Sequence, residues 1–143
     1  MPLLPRKGVL AIAAVIDIAH NARGRPVAAK ALATRHRLPP RHLEPVLQAL
    51  VRHGILRGVR GPRGGYELGR ERRQISADDI LRAAGTAEEN GDLALPGSVL
   101  LNHVVVPALK EAEQAFSATL SRINIEDLVA AAEQFRKTID IDG

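Results

Sequence analysis

A chain of 143 residues, 45% apolar but only 2% aromatic, can bury one modest core, and must build it from Leu, Val, Ile and Ala as helix packing does. It has no cysteine, which excludes disulfides, Cys-ligated zinc and thiolate-bound iron–sulfur clusters and agrees with a cytoplasmic location. The net charge of +4 hides a division: residues 1–73 hold 15 Lys/Arg against 4 Asp/Glu, a net +11, and residues 74–143 hold 5 against 12, a net −7. A basic half on an acidic half suggests a polyanion-binding unit carrying a second function. Charge alone leaves nucleic acid, an anionic membrane surface and a merely solvated face all open.

Residues 7–22 predict a helix. Ala11, Ala14, Val15, Ile18 and Ala19 share one face, while Ile12 and Ile16 make the other side apolar too. Arg6-Lys7 ahead of this run resembles a secretory signal, but Asp17 interrupts the run and its length cannot span a bilayer. A buried first helix is the expectation. After a loop with Gly24 and Pro26, residues 27–35 predict a second helix that packs through Ala28, Ala31 and Leu32. The stretch His36-Arg37-Leu38-Pro39-Pro40 makes a turn, and a third helix reaches residue 53. Its apolar positions are Leu43, Val46, Leu47, Leu50 and Val51; its other side offers Arg41, Glu44, Gln48 and Arg52. Those four are the hydrogen-bonding types that read base edges and phosphates in a major groove. Pro45 implies that this helix either starts late or bends, and Gly54 marks its end.

Residues 55–59 and 66–68 are β-compatible and flank Gly61-Pro62-Arg63-Gly64-Gly65, which reads as a hairpin. Arg60 and Arg63 sit at its tip, two guanidinium groups on a narrow ribbon suited to a groove or to phosphates. Taken alone, the hairpin is equally an ordinary solvated turn, and the third helix an ordinary amphipathic one. Helix, turn, helix, glycine and arginine-tipped hairpin, in that order on the +11 half, make a winged helix-turn-helix directed at double-stranded DNA.

At these residues the chain resembles the Rrf-two-type bacterial transcription regulators. The resemblance rests on Leu43-Glu44, Leu47, Leu50, Gly54-Ile55-Leu56, Val59-Arg60-Gly61-Pro62 and Gly64-Gly65-Tyr66-Glu67-Leu68, and extends over about residues 7–131. It implies a homodimeric winged-helix regulator whose third helix reads the major groove. It also implies that Arg41, His42 and Glu44 stand at base- or phosphate-contacting positions and that Arg60 is the minor-groove arginine of the wing. Many members place three cluster-binding cysteines before the long helix; residues 88–101 have none here, so the likeness is to a cysteine-less branch and no cofactor is expected. Arg37 stands where the family often has glycine, and would be strained by about 1 kcal/mol in a left-handed turn. Arg63 also replaces a common glycine.

Arg70, Arg72 and Arg73 form either a second phosphate-contacting edge or a solvated link. Ser76, with Asp78 and Asp79 behind it, predicts a helix start, and Ile80, Leu81 and Ala84 pack it back on the domain. Residues 85–97 predict a loop. Residues 99–123 predict a long helix with an apolar stripe that includes Leu101, Val105, Leu109, Ala112, Phe116 and Leu120; Pro107 begins its main part or kinks it. Such a stripe needs cover, and a twin helix in a homodimer is the expected partner, with packing inside one chain as the alternative. A last helix after residues 124–127 packs through Leu128, Val129, Ala132 and Phe135, ahead of a frayed tail at 137–143.

The expected organisation is therefore mainly α with a β-hairpin wing: a winged helix-turn-helix domain over residues 1–84, a loop, and dimerisation helices over 98–136. No phosphate-binding loop, catalytic constellation or metal-ligand spacing is present, and an enzyme is not expected. The function expected is transcription regulation, with a homodimer on duplex DNA, no membrane partner and an effector of unspecified kind. The alternative is a winged helix used for protein contact.

Overall fold

A computed structural model describes residues 6–21, 25–85 and 100–139, except for the side chains of residues 101, 102, 106, 138 and 139. Helix α1 (Arg6–Asn21) buries Gly8, Ala11, Ala14, Val15, Ile18 and Ala19 on one stripe. Small residues at four of these positions let neighbours approach closely, and α1 packs against α4 (Ala77–Gly85), α6 (Ile125–Ile139), α3 (Pro40–Arg52) and strand β2 (Gly65–Leu68). Val9, Leu10, Ile12 and Ile16 are exposed or only partly buried, so the second apolar side of α1 is incompletely covered.

Helix α2 (Ala29–Arg35) is shorter than the sequence pattern suggests. The pattern starts it at Val27, but Val27 exchanges both backbone hydrogen bonds with Tyr66, at 2.8 Å each. A buried β-branched residue here adds a third edge to the hairpin instead of a first helical turn. Ala28 is accordingly exposed, and Leu32 and Ala33 supply the buried face of α2. The chain leaves α2 with Arg37 at φ 55°, the Arg37 N–H bonding the Thr34 carbonyl and the Leu38 N–H the Ala33 carbonyl. This is a Schellman closure with arginine in the left-handed position that glycine usually fills.

Helix α3 begins at Pro40, whose missing N–H is harmless in a first turn. Pro45 lies on its exposed side and withholds the N–H that the Arg41 carbonyl would accept, yet the helix runs on unbroken to Arg52. Leu43, Val46, Leu47, Ala49 and Leu50 are buried, with Val51 at the margin. Gly54, at φ 75°, closes α3 by the same motif: its N–H bonds Val51, and the Ile55 N–H bonds Leu50.

Strand β1 (Leu56–Val59) pairs antiparallel with β2 in the register Leu56↔Leu68, Arg57↔Glu67, Gly58↔Tyr66, Val59↔Gly65. Gly65 backs directly onto Val27. A Cβ there would collide with the Val27 carbonyl, and φ is 153°, so only glycine lets the wing lie against the segment before α2.

After a 3₁₀ turn at Arg72–Gln74, α4 starts with reciprocal capping: the Ser76 Oγ accepts the Asp79 N–H (3.0 Å), and Asp79 Oδ2 accepts the Ser76 N–H (3.1 Å). Ile80, Ala83 and Ala84 pack inward; Leu81 is half-buried. Most of the expected 85–97 loop lies outside the described residues. A π-helical turn (Leu101–Val105) then leads into α5 (Val106–Leu120), with Pro107 in its first turn; Pro107 thus begins the main helix. The α5 helix ends at Leu120, three residues before the pattern predicts, because the next residues pair elsewhere. The Ile123 carbonyl accepts the Ala77 N–H, and the Ile75 carbonyl accepts the Ile125 N–H. Asn124 Oδ1 caps α6 through the Asp127 N–H at 2.9 Å. Ile125 and Val129 enter the core. Ala132 and Phe135 do not pack as the pattern implies: both face solvent, Phe135 at 63% exposure, while Glu133 and Arg136 of the same stretch reach His20 of α1. The helix continues to Ile139, into the stretch expected to fray.

Candidate nucleic-acid interface

Burying one side of α3 fixes what the other presents. Arg41, His42, Glu44, Gln48 and Arg52 are all exposed. Gln48 Nε2 donates to Tyr66 Oη at 3.4 Å, so the outer face of α3 and the first residues of β2 adjoin. The wing turn, residues 60–64, carries Arg60 and Arg63 into solvent. One framework therefore holds all seven sequence-predicted contact residues: the helix supplies five and the hairpin turn two.

Charge pairing sorts the arginines. Arg57 is tied to Glu67 across the hairpin. Arg70 donates to the His53 carbonyl at 2.9 Å and pairs with Asp79, and Arg72 donates to the Ala19 carbonyl at 2.7 Å and pairs with Glu126. Of the two readings of that segment, Arg70 and Arg72 thus take structural roles, and Arg73 stays exposed. Arg41, Arg52, Arg60 and Arg63 have no hydrogen bond or ion pair with any described residue. A neutralised guanidinium adds little outward field; an unpaired one keeps both its charge and its five donors for an incoming anion.

Sequence reasoning gave Asp17 no role beyond breaking an apolar run. In the structure it fastens the helix-turn-helix to α1. Its carboxylate accepts from Arg35 Nε (2.9 Å) and Nη2 (2.7 Å), His36 Nε2 (3.0 Å) and Asn21 Nδ2 (3.0 Å). Burial pushes its pKa up, but the bonds from Arg35, Asn21 and His36 outweigh that and hold the carboxyl below its ordinary value of 3.8. The same contact raises Arg35 above its usual value. Spacing could not reveal this cluster, since 18 residues separate Asp17 from Arg35.

The stripe expected at a dimer interface behaves differently along its length. Leu109 is 64% exposed, and Leu100 and Val104 are similarly bare. Ala112 is exposed, while Val105, Phe116 and Leu120 are half-covered. The Leu101 side chain lies outside the described residues. The far end of α5 is pinned to α4: the Ser117 hydroxyl donates to Asp78 Oδ1, and Arg82 bridges Asp78 (2.8 Å) and Ser117 (3.0 Å). No helix among the described residues is long and apolar enough to cross a membrane.

Comparison with known proteins agrees with this geometry. The family model "Rrf2: Iron-dependent Transcriptional regulator" matches residues 4–131. A Synechocystis protein provisionally named an HTH-type transcriptional regulator is 31% identical over 137 residues, 93% of this chain and 91% of that protein. A Haemophilus influenzae protein with the same provisional name is 41% identical over 80 residues, and the matched stretch spans 56% of this chain but only 53% of that relative. Among solved structures, IscR of T. potens superposes with a TM-score of 0.71 at 29% identity, covering 92% of this chain and 89% of IscR. The word iron in the family description meets a chain without thiolates, so a cysteine-held cluster does not fit. Nor does any group of three or more His, Asp or Glu among the described residues make a metal site. With a helix-turn-helix, an arginine-tipped wing and a family match across most of its length, the chain belongs to the Rrf2 family of transcriptional regulators.

Proposed function

We propose that the protein acts as a homodimeric, sequence-specific DNA-binding regulator, a repressor that occupies its operator. The observation that carries this reading is the shared platform of α3 and wing, joined at Gln48 and Tyr66 and bearing four arginines that are unpaired among the described residues. On duplex DNA, α3 lies in the major groove and the wing reaches the neighbouring minor groove or backbone. Glu44 accepts from the exocyclic amine of a cytosine, Gln48 reads an adjacent base, and Arg41, His42 and Arg52 bond bases or phosphates. Arg60 enters the minor groove, where a narrow A·T-rich stretch concentrates negative potential.

The dimer follows from α5. Leu109 on it, with Leu100 and Val104 just before it, is exposed and needs cover, and a second copy of the same helix supplies a self-complementary surface. Two platforms related by a two-fold axis then require half-sites separated by one or more helical turns. The test is selection of genomic fragments bound by the purified protein, followed by titration against a recovered site. The reading expects a palindromic site and affinity that falls steeply with salt. Unaltered binding by the Arg60→Ala/Arg63→Ala double variant would remove the wing from it.

A further inference from the structure

Beside the wing lies a cleft of about 680 Å³, lined by Arg25, Pro26, Ala28, Pro62, Arg63 and Gly64. Its two walls come from distant stretches of sequence, the segment before α2 and the wing turn. The paired bonds between Val27 and Tyr66 lock these walls together, and Gly65 lets them meet without an intervening side chain. Arg25 and Arg63 are both exposed, and neither has a hydrogen bond or ion pair with any described residue. Five other arginines are neutralised: Arg35, Arg57, Arg70, Arg72 and Arg82 each have a carboxylate. Two like charges left on one rigid cleft, with no acidic residue among its described lining residues, make a seat for an anion with several acceptor oxygens.

We infer that this cleft clamps one backbone phosphodiester of bound DNA between the guanidinium groups of Arg25 and Arg63. The inference rests on the reading given under Proposed function and adds to it a contact outside α3 and outside the minor-groove arginine. The shape favours a nucleic-acid backbone over a free phosphate. The cleft is open along one side and much larger than a phosphate group, whereas pockets for small anions enclose them. It also begins at Pro62, two residues from Arg60, so a strand whose minor groove holds Arg60 passes its mouth.

The test is a double-mutant cycle with Arg25→Gln and Arg63→Gln, read by fluorescence anisotropy on a selected site across a salt series. Arg122→Gln serves as a charge-matched control remote from the cleft, and thermal melts confirm folding. Each single variant is expected to weaken binding about tenfold, equally for the selected site and its base-substituted versions. The double variant should lose clearly less than the product of the two, because both arginines hold the same phosphate. Its salt slope should fall by about 0.9, the loss for a single phosphate. Multiplicative losses, or a slope change near twice that, would mean two separate contacts and overturn the clamp. Variants that bind like the Arg122→Gln control would overturn it too, while leaving the DNA-binding reading intact. If the unaltered protein binds no duplex, both fall. Saturable binding of inorganic phosphate at micromolar concentration, abolished by Arg25→Gln, would assign the cleft to a free anion instead and likewise overturn the proposal.

Discussion

Replacing Asp17 by Asn keeps the shape of the side chain and removes its charge. The carboxylate is only 8% exposed, while Arg35 is 44% and His36 26% exposed. Breaking a fully buried ion pair is worth about 3–5 kcal/mol, and an exposed pair about 0–1 kcal/mol. A buried acid facing partly wet cations falls between, and the amide oxygen still accepts one bond, so a loss of about 2 kcal/mol is expected. For a chain of this size that lowers the melting temperature by about 6–10 °C. The loss should depend on pH. The folded-state pKa of Asp17 lies below the unfolded value, so its stabilisation is complete above the ordinary carboxylate range and disappears as pH falls through and below 3.8. Urea titrations of both proteins at neutral pH and in steps toward about pH 3 read this directly, the two curves converging in acid. Equal midpoints at neutral pH, or a gap that persists unchanged in acid, would show that the charge of Asp17 does not fasten the turn.

Arg37→Gly should stabilise. Relief of the left-handed strain at φ 55°, about 1–2 kcal/mol, exceeds the added entropy of an unfolded glycine, about 0.4–1 kcal/mol; a lower melting temperature would refute this. Gly65→Ala should destabilise by more than about 2 kcal/mol, because the new methyl group meets the Val27 carbonyl, and urea titration measures it. Leu109→Glu should leave the monomer's stability unchanged, since that side chain is already 64% exposed, yet yield monomers in analytical ultracentrifugation; a persistent dimer would place the interface elsewhere. Glu44→Ala should relax preference at one base pair, read by selection from randomised DNA, with the salt slope retained because no phosphate contact is lost.

The helix-turn-helix was legible because its information is local. Leu43, Val46, Leu47 and Leu50 recur at helical spacing, the Pro39–Pro40 turn and the Gly54 stop are local signals, and the hairpin follows from its glycine-rich turn. The left-handed Arg37 was equally readable, as a misfit at a glycine position. Pairings distant in sequence escaped. Val27 sits in a pattern that continues into a helix, and nothing nearby shows that its backbone belongs to Tyr66. For the same reason Arg25 gave no sign of its place beside the wing turn, and only a count of uncompensated arginines could have marked it. Arg70 and Arg72 read in sequence as either a second phosphate-contacting edge or a solvated link; the carbonyls of His53 and Ala19 that occupy them are 17 and 53 residues away. Phe135 shows the converse error: its apolar spacing suggests packing, yet it faces solvent while its neighbours Glu133 and Arg136 reach His20.

The chain changes sign of charge near residue 73, and a fragment cut just after α4 would look like a natural minimal reader of DNA. Ile125 and Val129 argue against making it. Both lie in the same core as α1 and α4, at 0% and 1% exposure, and the strand-like join of Ser76 to Asn124 is lost with them. Shortening the protein at the electrostatic seam would therefore open a hydrophobic gap beneath the helix on which the rest is assembled, and the basic piece would have to be redesigned before it could stand alone.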